Sequence, residues 1–212
     1  QLRREDPALL TGEAKFTNDL NLPGALHLSI LRSPHAHAKI VSIDTAAAKA
    51  SPGVVAVYTG AELQSQWAGP MPCAWPVTPD MKNPPHFPLA ASKVCYVGDG
   101  VVAVLATSES ASRDALDLID VEYKVLKAVV DVEEALSDAN IIHEDLGTNK
   151  SYTWNLKIEA TEGCVEDAFQ KAAFKVSERY VQQRLLPMAM EPRAVAAVPQ
   201  PFGGDITLYS ST

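Results

Sequence analysis

The segment between residues 69 and 88 most constrains what this chain can fold into. It carries Pro70, Pro72, Pro76, Pro79, Pro84, Pro85 and Pro88. Each proline lacks the amide hydrogen that a helix interior or a central strand must donate, and its ring fixes φ. Regular structure is therefore pushed to either side, and the segment is a long irregular excursion. Loops of this length are uncommon unless they are functional or packed against a partner. Trp67 and Trp75 flank it or sit in it, so it is expected to pack on something. A fold back onto its own domain and a place at a subunit interface both fit.

On either side, strands and short helices interleave. Residues 24–31 read as a strand, and Lys39 to Asp44 alternates polar and apolar as a half-buried strand does. Asp44 and Thr45 offer N-caps for a short helix over Ala46 to Ala50, which Ser51-Pro52-Gly53 stops. Val54 to Tyr58 is a buried strand, and Thr59-Gly60 leads into a second short helix near Ala61 to Ser65. Beyond the excursion, Lys93 to Val97 and Val101 to Ala106 are apolar runs joined by Gly98-Asp99-Gly100, which predicts a hairpin. Ser108 caps a helix whose apolar face is Ala111, Ala115, Leu118 and Ile119. Residues 119–125 alternate as a further strand.

Residues 127–150 read as a connector with one helical turn over Val132 to Leu136. A second unit follows, with strand over Lys157 to Thr161, helix over Val165 to Ala173, and an alternating strand over Phe174 to Leu185. Two more strands, Arg193 to Val198 and Asp205 to Tyr209, flank Pro199-Gln200-Pro201-Phe202-Gly203-Gly204. The reading is α/β (α+β).

Composition removes several functions. A net charge of −8 without any lysine or arginine run argues against nucleic acid, which needs clustered cations. No stretch of 18 or more apolar residues spans a membrane, and no secretory signal pattern is visible. Cys73, Cys95 and Cys164 are widely spaced, with no C-x-x-C, so a cluster or zinc site within this chain is not expected. That sparse, odd count suits a reducing, cytoplasmic compartment.

Three stretches deserve chemical weighing. His35 and His37, in Arg32-Ser33-Pro34-His35-Ala36-His37-Ala38, face one side of an extended chain and could share a metal. No third ligand lies near in sequence, so structural polar contacts are the favoured reading. Gly98-Asp99-Gly100 lacks the remainder of a dinucleotide fingerprint. Met190-Glu191-Pro192-Arg193 sets a carboxylate and a guanidinium two residues apart before an apolar strand. Glu191 either pairs locally, with Arg184 or Arg179, and fixes the strand's start, or orients groups near a cofactor pocket.

Taken in series, several segments resemble the large, molybdenum-bearing subunit of the xanthine dehydrogenase, aldehyde oxidase and aerobic carbon monoxide dehydrogenase family. They are Leu9-Leu10-Thr11-Gly12 with Asp19-Leu20, Leu22 to Leu26, Arg32 to Ala38, Pro52 to Val57, Tyr96-Val97-Gly98-Asp99 and Met190 to Arg193. Gln183 to Arg193 looks most like the carbon monoxide dehydrogenase-like branch. The sequence departs from the family where Gly100 and Lys127 stand (commonly Pro) and at Cys164 (commonly Asp).

The resemblance implies an α/β hammerhead domain of mixed sheets and short helices over residues 10–126, the connector at 127–150, and the first strands of a molybdopterin-binding domain over 151–212. It implies a molybdenum–molybdopterin dinucleotide in the full-length subunit, with [2Fe-2S] clusters and FAD on partners: an iron–sulfur small subunit and an FAD-binding medium subunit. The reaction would oxidise or hydroxylate a small molecule (aldehyde, N-heterocycle or carbon monoxide) with oxygen from water. The glutamate base and the pterin-binding loop lie downstream in family members, so no catalytic residue and no metal ligand is expected here. The family's Ser-Thr-Gln motif is matched as far as Ser211-Thr212. Glu191, Arg193 and Thr212 are the residues expected beside the cofactor. The sequence is therefore expected to be an N-terminal piece, inactive alone; the alternative is a non-enzymatic subunit-docking or assembly module.

Overall fold

The computed structural model describes residues 3–72, 75–155 and 164–211. Cys73, Thr212 and the strand expected over Lys157 to Thr161 lie outside the described residues. The chain divides into two compact units, one beginning at Gly24 and running through the connector, the other made of the residues up to Pro23 together with those from Cys164 on.

The larger unit holds two three-stranded sheets. Strands β1 (His27–Arg32), β2 (Ala38–Asp44), β3 (Val54–Thr59), β4 (Lys93–Val94), β5 (Gly100–Ala106) and β6 (Asp120–Val125) arrange as β1-β5-β3 and β4-β2-β6. Every pairing among the described residues is antiparallel. β5 is the centre of the first sheet because its apolar run can be buried on both faces: Val101, Val102, Val104 and Ala106 have no exposed surface. These valines, with Val57, Val94, Ala38, Ala48 and Ala115, make the core. Each fully buried valine contributes on the order of 1.5–3 kcal/mol.

The helices lie close to their expected places. Ser108 Oγ accepts from the Ala111 amide at 3.2 Å and caps helix Glu109–Asp114. A 3-10 turn, Ala115–Leu118, continues it and carries Ala115 into the core. Thr59 and Glu62 cap helix Gly60–Leu63 reciprocally: Thr59 N donates to Glu62 Oε2 at 2.7 Å, and Glu62 N donates to Thr59 Oγ1 at 3.3 Å.

Two strand expectations fail. Residues 93–97 and 101–106 do not form a hairpin: β4 pairs with β2, while β5 pairs with β1 and β3. Gly98 does turn the chain, with φ +91°, but it passes the chain from one sheet to the other. Residues 174–185 alternate yet form no strand among the described residues. Alternation gives a strand two faces, but only a neighbouring edge supplies its ladder bonds.

The proline-rich excursion folds back on its own unit at its base. Met71 N donates to His86 O at 2.7 Å, and Trp67 stacks on Phe87 with ring centroids 5.5 Å apart. Trp75 remains 88% exposed. The connector is strapped down in the same unit. His37, which is buried, bonds through Nδ1 to Lys127 O at 2.8 Å. Lys93 Nζ donates to Ile142 O at 2.6 Å and pairs with Glu144. Asn149 ties Ile142, Asn140 and Ala135 together.

The smaller unit contains helix Asp6–Thr11, the 3-10 turn Thr17–Asp19, helix Cys164–Lys171 and a hairpin of β7 (Val195–Pro199) and β8 (Ile206–Ser210). Gly203 (φ +92°) and Gly204 (φ +75°) make the reversal between these strands.

Candidate functional site

Two of the residues expected beside the cofactor, Glu191 and Arg193, sit in the smaller unit. A 3-10 turn leaves its leading amides without partners. Asp19 Oδ2 accepts from Phe16 N at 2.9 Å and closes the turn Thr17–Asp19. Thr17, next along, donates its amide to Glu191 Oε1 at 3.1 Å and its hydroxyl to the same oxygen at 3.2 Å. Such bonds to a carboxylate are charge-assisted and stronger than neutral ones. The donor lies 174 residues earlier in the chain, not at neighbouring Arg184.

Three residues after Glu191, Ala194 holds the end of the hairpin. Its amide donates to Ser211 Oγ at 2.8 Å, and Ser211 N donates back to Ala194 O at 3.2 Å. The register Val195↔Ser210 extends this link into the ladder. The Met190–Arg193 segment thus lies between the Thr17–Asp19 turn and the Ser210-Ser211 segment. Arg193 is exposed and Thr212 lies outside the described residues; the structure brings Glu191 and Ser211 to the open end of one hairpin.

Beside Glu191 lies an open apolar cavity of about 770 Å³, lined by Pro7, Leu9, Leu10, Phe16 and Met190 with Arg3 and Asp6 on its wall. A pterin dinucleotide carries phosphates and a polar heterocycle, which need convergent N–H donors. The described residues offer an apolar wall, an engaged Glu191 and an outward Arg193. They do not by themselves form a cradle for that group.

The other weighed stretches serve the larger unit's architecture. His35 packs edge-on against Tyr123, with ring centroids 5.0 Å apart. His37 binds the connector; because Lys127 O can only accept, its Nδ1 carries the proton. Among the described residues no three His, Cys, Asp or Glu side chains are grouped as metal ligands. Arg32-Ser33 and Gly98-Asp99 interlock: Ser33 N donates to Asp99 O and Gly98 N to Ser33 O, both at 2.8 Å. The Asp99 side chain, buried, accepts from Cys95 N at 3.1 Å. Burial pushes the Cys95 thiol pKa up, with Lys93 opposing, so this cysteine is held as a thiol rather than activated.

Sequence reasoning missed Thr17, Lys93 and Ser33 as structural contacts. Thr17 lies between two segments of the family resemblance, Leu9 to Gly12 and Asp19-Leu20, and that was its one signal. Ser33 lies inside the Arg32 to Ala38 segment of the resemblance, whereas Lys93 gave no signal, since its partners Ile142 and Glu144 are about 50 residues away in sequence.

Comparison with known proteins bears on the whole chain. The α/β hammerhead domain of aldehyde oxidase and xanthine dehydrogenase matches residues 11–127, and the molybdopterin cofactor-binding domain matches residues 142–212. The gamma subunit of the 6-hydroxypseudooxynicotine dehydrogenase complex of Paenarthrobacter nicotinovorans is 38% identical over 217 residues, covering 99% of this chain and 26% of that protein. The carbon monoxide dehydrogenase large chain of Hydrogenophaga pseudoflava is 31% identical over 219 residues, covering 97% of this chain and 26% of that one. The crystal structure of quinoline 2-oxidoreductase from Pseudomonas putida 86 superposes with a TM-score of 0.85 at 34% identity, over 100% of this chain and 26% of that one. The chain spans about a quarter of the length of these relatives. With the hammerhead match over more than half of its residues and the cofactor domain over most of the rest, this chain belongs to the xanthine dehydrogenase and aldehyde oxidase family of molybdopterin-binding large subunits.

Proposed function

We propose that the complete protein is the large subunit of a molybdenum hydroxylase, an oxidoreductase that oxidises or hydroxylates a small molecule with oxygen taken from water. The observation that carries this reading is the pair of domain matches, hammerhead then molybdopterin-binding, in one chain. Aldehydes, N-heterocycles and carbon monoxide are the substrate classes in view. The named relatives act on 6-hydroxypseudooxynicotine, carbon monoxide and quinoline. Within that protein, residues 10–126 form the hammerhead wall, 127–150 the connector, and 151–212 the opening of the cofactor domain. Glu191, Arg193 and Thr212 lie beside the cofactor.

When bound, a molybdenum–pterin dinucleotide supplies two-electron redox chemistry at the substrate carbon. The described residues brace that site. Electrons leave through [2Fe-2S] clusters and FAD on an iron–sulfur small subunit and an FAD-binding medium subunit, and a relative described as a complex subunit supports such an assembly. Among the described residues no helix is long and apolar enough to cross a membrane; the sparse, odd cysteine count suits a reducing, cytoplasmic compartment. The exposed Trp75 of the excursion favours a docking role for that loop. A protein made only for docking is the second reading.

The test compares this chain alone with the full-length subunit expressed with its neighbours. Metal analysis and reduction of an artificial electron acceptor are measured on both. Molybdenum and turnover belong to the full-length assembly only. A full-length protein free of molybdenum would sink the enzyme reading, and stoichiometric molybdenum with turnover in this chain alone would sink the bracing role.

A further inference from the structure

We infer that Glu191 is a positioning residue, not an acid or base: it anchors the 3-10 turn Thr17–Asp19 to the start of β7 and so fixes the hairpin end at Ser211. Its Oε1 takes both the amide (3.1 Å) and the hydroxyl (3.2 Å) of Thr17. The residues next to this pair, Phe16 and Met190, line one apolar cavity with Leu9 and Leu10, so the polar anchor and the apolar contact act at the same place. On the other side, Pro192 limits the backbone between Glu191 and β7. Ala194 then grips Ser211 through both its amide and its carbonyl. Thr17, Glu191, Ala194 and Ser211 form one mechanical series. The last of them immediately precedes the position where the proposed cofactor-side residue Thr212 stands.

The chemistry needed of Glu191 is acceptance at one oxygen. A glutamine keeps that oxygen and loses only the charge. An alanine loses both. A residue that worked by charge or proton transfer would be equally impaired by either change. The link to cofactor loading rests on the function proposed above, whereas the anchor itself is read without any cofactor.

The experiment uses the full-length subunit with Glu191→Ala, Glu191→Gln and Thr17→Val. Hydrogen exchange is followed at the Thr17 and Ala194 amides, and bound molybdenum is measured in the same preparations. Glu191→Ala is expected to speed Thr17 exchange about tenfold or more, the size of a charge-assisted bond, to speed Ala194 exchange, and to lower bound molybdenum. Glu191→Gln is expected to restore most protection and metal. Thr17→Val, which keeps the amide and the fold's shape, falls between. Unchanged Thr17 exchange in Glu191→Ala overturns the anchor. Protected amides with metal lost in Glu191→Gln overturn the positioning role in favour of a direct charge. An opened anchor with molybdenum unchanged leaves the anchor standing and removes its link to the cofactor.

Discussion

Replacing Gly100 by alanine tests how the end of the proline-rich excursion, Pro88 to Ala90, is held against β5. A Cβ at Gly100 would lie 2.8 Å from Pro88 O, 3.2 Å from Leu89 Cδ2 and 3.4 Å from Ile30 Cγ2. The carbonyl contact falls short of an ordinary separation of 3.4 Å by about 0.6 Å. That carbonyl cannot easily retreat. Two residues on, Ala90 N donates to Gly100 O at 2.7 Å, and Leu89 between them is only 3% exposed. Gly100 is not among the positive-φ residues, so the penalty is steric rather than conformational. Overpacking of this kind costs about 1–3 kcal/mol. The loss of unfolded-state freedom returns about 0.4–1 kcal/mol. The net is a destabilisation of about 1–2 kcal/mol, or a fall in Tm of roughly 2–8 °C for a protein of this size. Thermal unfolding followed by far-ultraviolet circular dichroism reads it. Gly69→Ala is the control, because nothing lies within 4 Å of a Cβ there; it is expected to be neutral or slightly stabilising. If Gly100→Ala matches Gly69→Ala, the close approach of Pro88–Ala90 to β5 is wrong. Proline places a Cβ against the same carbonyl and is expected to be no better tolerated.

Other predictions follow the same logic. Lys93→Met removes the donor to Ile142 O and the partner of Glu144; proteolysis within 138–149 should speed several-fold, a loss of about 1 kcal/mol after allowance for the exposed carboxylate, and an unchanged digestion pattern would show that the strap is held by other contacts. Acid should loosen the same connector. Burial holds the His143 pKa below its ordinary 6.5, the Lys93 bond holds Glu144 below 4.5, and the Thr148 hydroxyl with the Asn149 amide holds Asp138 below 3.8. All three folded values are depressed, so their stabilisation is complete above the unfolded values and is lost as pH falls through the folded ones. The urea midpoint of the larger unit should decline from just below pH 6.5 and then more steeply in the carboxylate range, and a flat midpoint from pH 7 to 4 would contradict this. Ser108→Ala removes the cap on helix Glu109–Asp114 and should cost about 1 kcal/mol by urea unfolding; no change in midpoint would mean that the Ala111 amide finds another acceptor.

How far the sequence could be read varied with the range of the interaction involved. The Ser108 cap, the helical turn at Val132–Leu136, and the strands at β1, β2, β3 and β6 rest on neighbours a few residues apart, so local pattern located them. The bond partners of β4 and β5 could not be located that way. Both are apolar runs beside a glycine turn, and nothing local distinguishes a return along the same sheet from a crossing to another. The two strands cross because Gly98 N and Ser33 O, with Ser33 N and Asp99 O, lock the turn onto the end of β1. The alternation over residues 174–185 failed for a related reason, since a strand is made by an edge beside it. At the candidate site, the sequence marked Glu191 as a residue with a role but suggested an arginine partner, and the structure supplied Thr17.

By itself, then, the sequence determined the α/β composition, the irregular excursion around its prolines, the capped helices and the family, because caps, φ restrictions and motif order are local or serial properties. The tertiary structure alone decided which strands share a sheet, that the connector is strapped down through Lys93 and His37, and that the Thr17–Asp19 turn bonds to Glu191. Those outcomes depend on which distant donors and acceptors come within bonding distance. A hydrogen bond forms only at about 3 Å, and only the folded chain sets that distance between residues 174 positions apart.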